Sequence, residues 1–297
     1  MPLEGIEIVE AIHSWTEDSA DICVEGLNET VRLLHITDAH IPLLDDRDSL
    51  PEEVVEASEK HAANFGSSPL DTFRDVLTAD DPASWDVIAL TGDIVNLPSQ
   101  AAIEAVSETL SDIETPVLYT SGNHDWHFPK MPNEGDLREK WWPALEPLHK
   151  GNPAYSRIEV SGLQFICVDD SDYQITDDQL SFVQRSLESG QPTVVLTHIP
   201  LSLPTLRGDT LERWSDPILI ADPGWSLERR LRWGTKEDTP ATLAFHRLLS
   251  TAENLVAILC GHIHFSHTDT ISRTAVQYVT APCFDSRSRE VTFSPLE

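Results

Sequence analysis

Residues 31–40 read VRLLHITDAH: a largely apolar run, 31–37, that breaks off into Asp38 and His40. A short apolar run of this kind predicts a strand covered on both faces, as in sheets packed under helices. The pattern returns four times. Residues 87–91 lead into Gly92-Asp93, 117–120 into Gly122-Asn123-His124-Asp125, 193–197 into His198, and 255–260 into Gly261-His262-Ile263-His264. A sixth apolar run covers 163–168. Between the runs lie helical patterns at 70–77, 100–110, 177–187 and 241–250, the second and third opened by capping signals at Ser99 and Thr176. Alternating strands and helices predict an α/β protein with parallel strands. In such sheets ligands bind beyond the carboxyl ends of the strands. All five polar groups therefore converge on one rim.

The residue types on that rim define a chemistry. Carboxylates, an amide oxygen and imidazoles, with no cysteine among them, suit borderline divalent cations such as Mn, Fe, Co, Ni or Zn. Asp38, His40, Asp93, Asn123, His198, His262 and His264 suffice for two metal sites if Asp93 bridges them. His124 is then left for proton transfer. Two cations roughly 3.5–4 Å apart form the clamp used for in-line displacement at phosphorus. The other histidines, His61 among them, read as ordinary packing or surface residues.

Composition narrows the partners. The 297 residues carry 20 basic and 50 acidic side chains, a net charge of −30. A phosphate backbone or an anionic bilayer would be repelled, so neither nucleic acid nor membrane is an expected partner. The start of the chain has no basic and apolar leader pattern, and no apolar run approaches the ~18 residues of a membrane span. Cys23, Cys167, Cys260 and Cys283 have no paired spacing, so buried free thiols in a reducing cytoplasm are expected.

The order DxH, GD, GNHD, H, GHxH over residues 33–264 resembles the calcineurin-like metallophosphoesterase superfamily. The segments ILCGHIH and ITDDQLSFVQRSL look like its cyclic-nucleotide and glycerophosphodiester phosphodiesterases. The resemblance implies a four-layer α/β/β/α sandwich with two mixed sheets and a dinuclear site at the strand ends. It also implies one metal on Asp38, His40, Asp93 and His264, and a second on Asp93, Asn123, His198 and His262. Small phosphate diesters or monoesters would be cleaved by a metal-bridging hydroxide, with His124 protonating the departing alkoxide. There are departures. Asn96 stands where purple acid phosphatases place a Tyr ligand, and GDIVNLP lacks the Arg of the Ser/Thr protein phosphatases. Asn96 also stands where an Asp often pairs with the general-acid His; its amide is expected to accept that hydrogen bond. His198 lies in THIP rather than HHPP. A nuclease of the same superfamily and a non-catalytic scaffold remain as alternatives.

One domain over 1–297 is expected, with inserts at about 45–68 and 201–240. The first is acidic and holds one helical pattern. The second is aperiodic, and its first 36 residues hold six basic and five acidic side chains and three tryptophans. Arg229, Arg230 and Arg232 are candidate contacts for a small phosphate ester, a nucleotide among them; the alternative is that they pair with acidic neighbours.

Overall fold

The computed structural model describes residues 8–66, 68–131, 135–149 and 151–296. Twelve strands form two six-stranded sheets. The first holds β1 (Ala11–Trp15), β2 (Ser19–Val24), β3 (Val31–Ile36), β4 (Val87–Leu90) and β5 (Val117–Tyr119). The second holds β6 (Tyr155–Val160), β7 (Leu163–Val168), β8 (Thr193–Leu196), β9 (Leu255–Cys260), β10 (His267–Thr270) and β11 (Val276–Val279). The last strand, β12 (Arg289–Pro295), returns to the first sheet between β2 and β3, giving the order β1-β2-β12-β3-β4-β5. The second sheet runs β10-β11-β9-β8-β7-β6. Both are mixed: β3, β4 and β5 are parallel, as are β7, β8, β9 and β11, while β12 meets β3 antiparallel.

Strand periodicity of two explains the layers. Leu33 and Phe165 face inward and pack with Ile22, Leu259 and Phe293 between the sheets. Leu34, Ile36 and Ile88 turn outward beneath helices α2 (Pro69–Leu77) and α3 (Gln100–Leu110), where they meet Phe73, Ile103 and Val106. Ile166, Val195 and Ile258 do the same beneath α5 (Asp177–Leu187) and α8 (Pro240–Leu249), against Val183, Phe245 and Leu249. The four-layer α/β/β/α arrangement expected from the sequence is the one observed. Ser99 and Thr176 cap α3 and α5 through their side chains, Thr176 with Gln179 as a capping box.

Four further helices are present among the described residues. In segment 45–68, where one helical pattern was expected, α1 (Glu52–Ala62) packs Val54 against Leu97 and Phe128. The helix α4 (Leu137–His149) contains Pro143 and Pro147, which hide its period. Segment 201–240 holds α6 (Pro204–Trp214) and α7 (Leu227–Trp233). All four cysteines are free thiols, and three of them are buried. Among the described residues, no helix is long and apolar enough to cross a membrane.

Candidate metal centre

The turns that follow β3, β4, β8 and β9 meet at one rim, and the backbone there is forced into an unusual shape. Asp38, His40, Asp93, His262 and His264 all adopt left-handed φ values, between 49° and 73°. Non-glycine residues enter that region only under constraint from their surroundings. The turns also approach one another closely. A Cβ at Gly92 would strike the Gly122 backbone and the His198 ring, and one at Gly261 would strike Thr37 and Asp38. The glycines of the GD, GNHD and GHIH segments are thus what lets the polar residues beside them meet.

Three groups of donors form among the described residues, and Asp93 belongs to two of them. Asp38, His40, Asp93 and His264 make one, Asp93, His198 and His262 make the second, and His40, His61 and His124 make the third. Asp93 Oδ1 accepts the His124 backbone N–H at 2.7 Å. Its Oδ2 is left between the groups, 3.7 Å from His40 Nε2 and 3.3 Å from His198 Nε2. Asp38 divides its oxygens in the same way. Oδ2 accepts from Thr37 Oγ1 and from the His262 N–H, while Oδ1 is buried without a hydrogen bond, 3.4 Å from His264 Nε2. Asn123 Oδ1 is likewise buried and unpartnered.

The donor set fits divalent cations. His40 Nε2 faces His264 Nε2 at 3.1 Å, and His198 Nε2 faces His262 Nδ1 at 3.2 Å. Ligand bonds of about 2.0–2.2 Å place neighbouring donor atoms roughly 3.0–3.5 Å apart. Unpartnered buried oxygens beside converging imidazole nitrogens are otherwise a costly arrangement. Burial, with the neighbouring imidazoles, holds His40 and His262 well below the usual histidine range, so both rings are neutral lone-pair donors. At Asp93 burial favours the neutral acid, but His198, His124 and His40 outweigh it and keep the carboxylate ionised. At His198 burial opposes charge, yet Asp93 overrides it and pushes the ring up to about 10.

An outer layer of hydrogen bonds sets the orientation of these donors. His198 Nδ1 donates to the Thr91 carbonyl at 2.7 Å, which leaves Nε2 facing Asp93. His262 Nε2 meets Tyr173 Oη at 2.8 Å. The Asp125 carboxylate accepts the backbone N–H groups of Asp93, Val95 and Gly122, tying the GD turn to the GNHD turn. Asp170 accepts from His198 and Ile199.

Residues 31–266 match the sequence profile of the calcineurin-like phosphoesterases. The chain belongs to this family. Among its relatives, a probable cyclic nucleotide phosphodiesterase of Fibrobacter succinogenes is 26% identical over 183 residues, 60% of each chain. The 3′,5′-cyclic adenosine monophosphate phosphodiesterase CpdA of Escherichia coli K12 is 24% identical over 245 residues, 79% of this chain and 70% of the other. A dimetal phosphatase from Danio rerio shares the fold, with a TM-score of 0.55 at 13% identity over 86% of this chain and 89% of that one.

In this calcineurin-like phosphoesterase, His124 lies beside the donor groups. Its Nδ1 donates to the main-chain carbonyl of Asn96 at 2.8 Å. The Asn96 side chain does not accept from His124, contrary to the expectation from sequence. Asn96 Oδ1 accepts instead from His61 Nδ1 at 2.7 Å. The amide orientation is unambiguous, because its Nδ2 faces Ser58 Oγ and the Ser58 carbonyl, and the latter only accepts. His61, read from sequence as an ordinary residue, thus stands inside the site. It stacks on His124 with ring centroids 5.2 Å apart and planes within 7°. Its only sequence signal was membership of an insert that carries a helical pattern.

A cavity of about 200 Å³ over the donors is lined by His61, Asp93, Asn123, His124, His262 and His264. It adjoins a larger one of about 490 Å³ that shares Asn123 and His124 and reaches Arg138, Arg232 and Lys236. The three arginines expected to hold substrate divide here. Arg230 is buried, pairs with Asp238 at 2.8 Å and lines neither cavity. Arg229 lies 3.4 Å from Asp216 and lines neither cavity. Arg232 lines the larger cavity but also pairs with Asp216, at 2.9 Å. Acidic neighbours inside the segment pair with the first two, and of the three only Arg232 reaches either cavity.

Proposed function

We propose that this chain hydrolyses small-molecule phosphate esters at a dinuclear centre. One divalent cation is held by Asp38, His40, Asp93 and His264, the other by Asp93, Asn123, His198 and His262. The observation that carries this reading is Asp93 Oδ2 standing between the two donor groups while its Oδ1 is occupied by His124 N–H. Cations bound there supply an acidified water as nucleophile and neutralise charge on the transferring phosphoryl group. The side chains supply the rest. Thr91 and Tyr173 fix which nitrogens of His198 and His262 face the centre. His124, anchored through Nδ1, presents Nε2 to the cavity, where it protonates the departing oxygen.

The names of the Fibrobacter and Escherichia relatives favour diesters, a cyclic nucleotide among them. The net charge of −30 disfavours a nucleic acid substrate. Four free thiols favour a reducing cytoplasm. The test is protein reconstituted with Mn, Fe, Co, Ni or Zn and assayed in parallel on bis-p-nitrophenyl phosphate, p-nitrophenyl phosphate and cyclic AMP. Metal-dependent turnover that tracks occupancy of both sites is expected. A fully loaded protein inert toward all three would defeat the reading.

A further inference from the structure

We propose that His61 recognises a hydroxyl on the carbon adjacent to the one that bears the leaving oxygen, so that the preferred substrates are phosphate esters of vicinal diols, such as ribonucleosides or glycerol. The inference rests on the reading of His124 as the acid. Asn96 holds both imidazoles at once: its backbone carbonyl takes Nδ1–H of His124, and its side-chain oxygen takes Nδ1–H of His61. The helix that carries His61 is locked to the same residue through Ser58. With both Nδ1 atoms committed as donors, each ring has only Nε2 to offer the cavity they both line.

The two Nε2 atoms are not equivalent. On His124, the proposed acid, Nε2 is the atom that faces the leaving oxygen. On His61, whose Nδ1–H is already spent on Asn96, Nε2 is left as the lone-pair acceptor. A donor and an acceptor in parallel rings 5.2 Å apart match two oxygens on adjacent carbons, one to be protonated and one offering O–H. Hydrogen bonds of roughly 2.8 Å reach both. His61 is also held firmly, edge-on to Phe65 at 4.6 Å and to Phe128 at 5.6 Å. A fixed acceptor left unpaired by a substrate without the hydroxyl is penalised, so discrimination of roughly tenfold or more is expected.

The experiment compares 3′,5′-cyclic AMP with its 2′-deoxy analogue on Mn-loaded full-length protein. The wild type should favour the ribose compound in kcat/KM about tenfold. His61→Phe, which keeps an aromatic ring but no acceptor, should bring the ratio close to one. His61→Gln, which restores an acceptor oxygen, should recover part of it, with metal content equal in all three proteins. No preference in the wild type, or equal losses on both substrates in His61→Phe, overturns the proposal. Bis-p-nitrophenyl phosphate, which has no neighbouring hydroxyl, reports separately on the phosphodiesterase reading. If loaded protein fails on that ester, calorimetric binding of the two cyclic nucleotides decides. Tighter binding of the ribose form, lost in His61→Phe, supports the proposal; equal affinity or no binding overturns it.

Discussion

The phenol of Tyr173 lies 2.8 Å from Nε2 of His262, and the opposite nitrogen of that ring, Nδ1, is the one that faces His198. One hydrogen bond therefore decides which imidazole nitrogen is available to a cation. Burial pushes the phenol well above its usual range, so it stays a neutral partner. Tyr173→Phe leaves the ring volume but frees His262 to rotate. Loss of such an orienting partner typically weakens metal binding roughly 10–100-fold. Metal titration should show that loss at the site holding His198 and His262, with the other site less affected. Equal affinity at both sites would remove Tyr173 from the account.

Among the described residues, Asp93 is the one that joins the Asp38–His40–His264 donors to the His198–His262 donors. Asp93→Asn keeps the hydrogen bond to His124 N–H but withdraws the charge that both sites share. Both cations should be lost or bound far more weakly. His40→Ala should mainly weaken the site that contains Asp38 and His264. Elemental analysis after dialysis separates the two patterns, and an Asp93→Asn protein that keeps both metals contradicts the assignment.

General-acid assistance is worth about 10²–10⁴-fold and matters most for poor leaving groups. His124→Ala should therefore slow alkyl esters by that factor while sparing nitrophenyl esters, whose phenolate departs unaided. A uniform loss across a leaving-group series would assign His124 to binding.

How much of this was legible follows from local physics. Six strands, β3, β4, β5, β7, β8 and β9, were readable because they are largely buried, continuous apolar runs, and every proposed ligand follows one of them. The other six were not. In β10 the sequence is HTDT, with no residue fully buried, and in β6 the side chains are exposed or half-buried. Their pairing comes from neighbours, not from their own pattern. The helix α4 was masked by two prolines. In the site, Asp38, Asp93 and the histidines of GHIH announce themselves by position, whereas His61 and Tyr173 arrive through tertiary packing. Asn96 shows the limit most clearly: its place in the sequence pointed to His124, but its main chain took that hydrogen bond and its side chain another.

His35, which lines neither cavity, gives a pH prediction. It is fully buried between Thr91 and Thr280, and burial, reinforced by Arg289, pushes it down to about 3. Above pH ~6.5 the ring is neutral whether folded or unfolded and makes no difference. Below that, the unfolded chain binds a proton that the folded one refuses, so stability falls on acidification until about pH 3. The loss is roughly 1 kcal/mol per pH unit. His35→Gln should show a correspondingly flatter decline between pH 6 and 4 in denaturant titrations. Identical slopes would place the acid sensitivity elsewhere.

The arginines of segment 201–240 make separable contributions. Arg230 is buried, with Asp238 as its partner and Trp225 facing its guanidinium at 5.5 Å. Removing one member of a buried pair strands the other, at a cost of about 3 kcal/mol or more. Arg230→Ala should lower the melting temperature by several degrees with KM unchanged for those molecules still folded. Arg232 is a contrasting case, with its side chain 56% exposed at the rim of the larger cavity. Its pair with Asp216 is open to solvent on the arginine side and worth less than about 1 kcal/mol, so Arg232→Ala should barely shift melting. Instead it should raise KM for a nucleotide that extends beyond the metal centre, and leave KM for p-nitrophenyl phosphate unaltered because that ester is too short to reach. Should Arg232→Ala leave nucleotide KM unaltered as well, Arg232 is no substrate contact, and Lys236 and Arg138 are the remaining cations of that cavity to test.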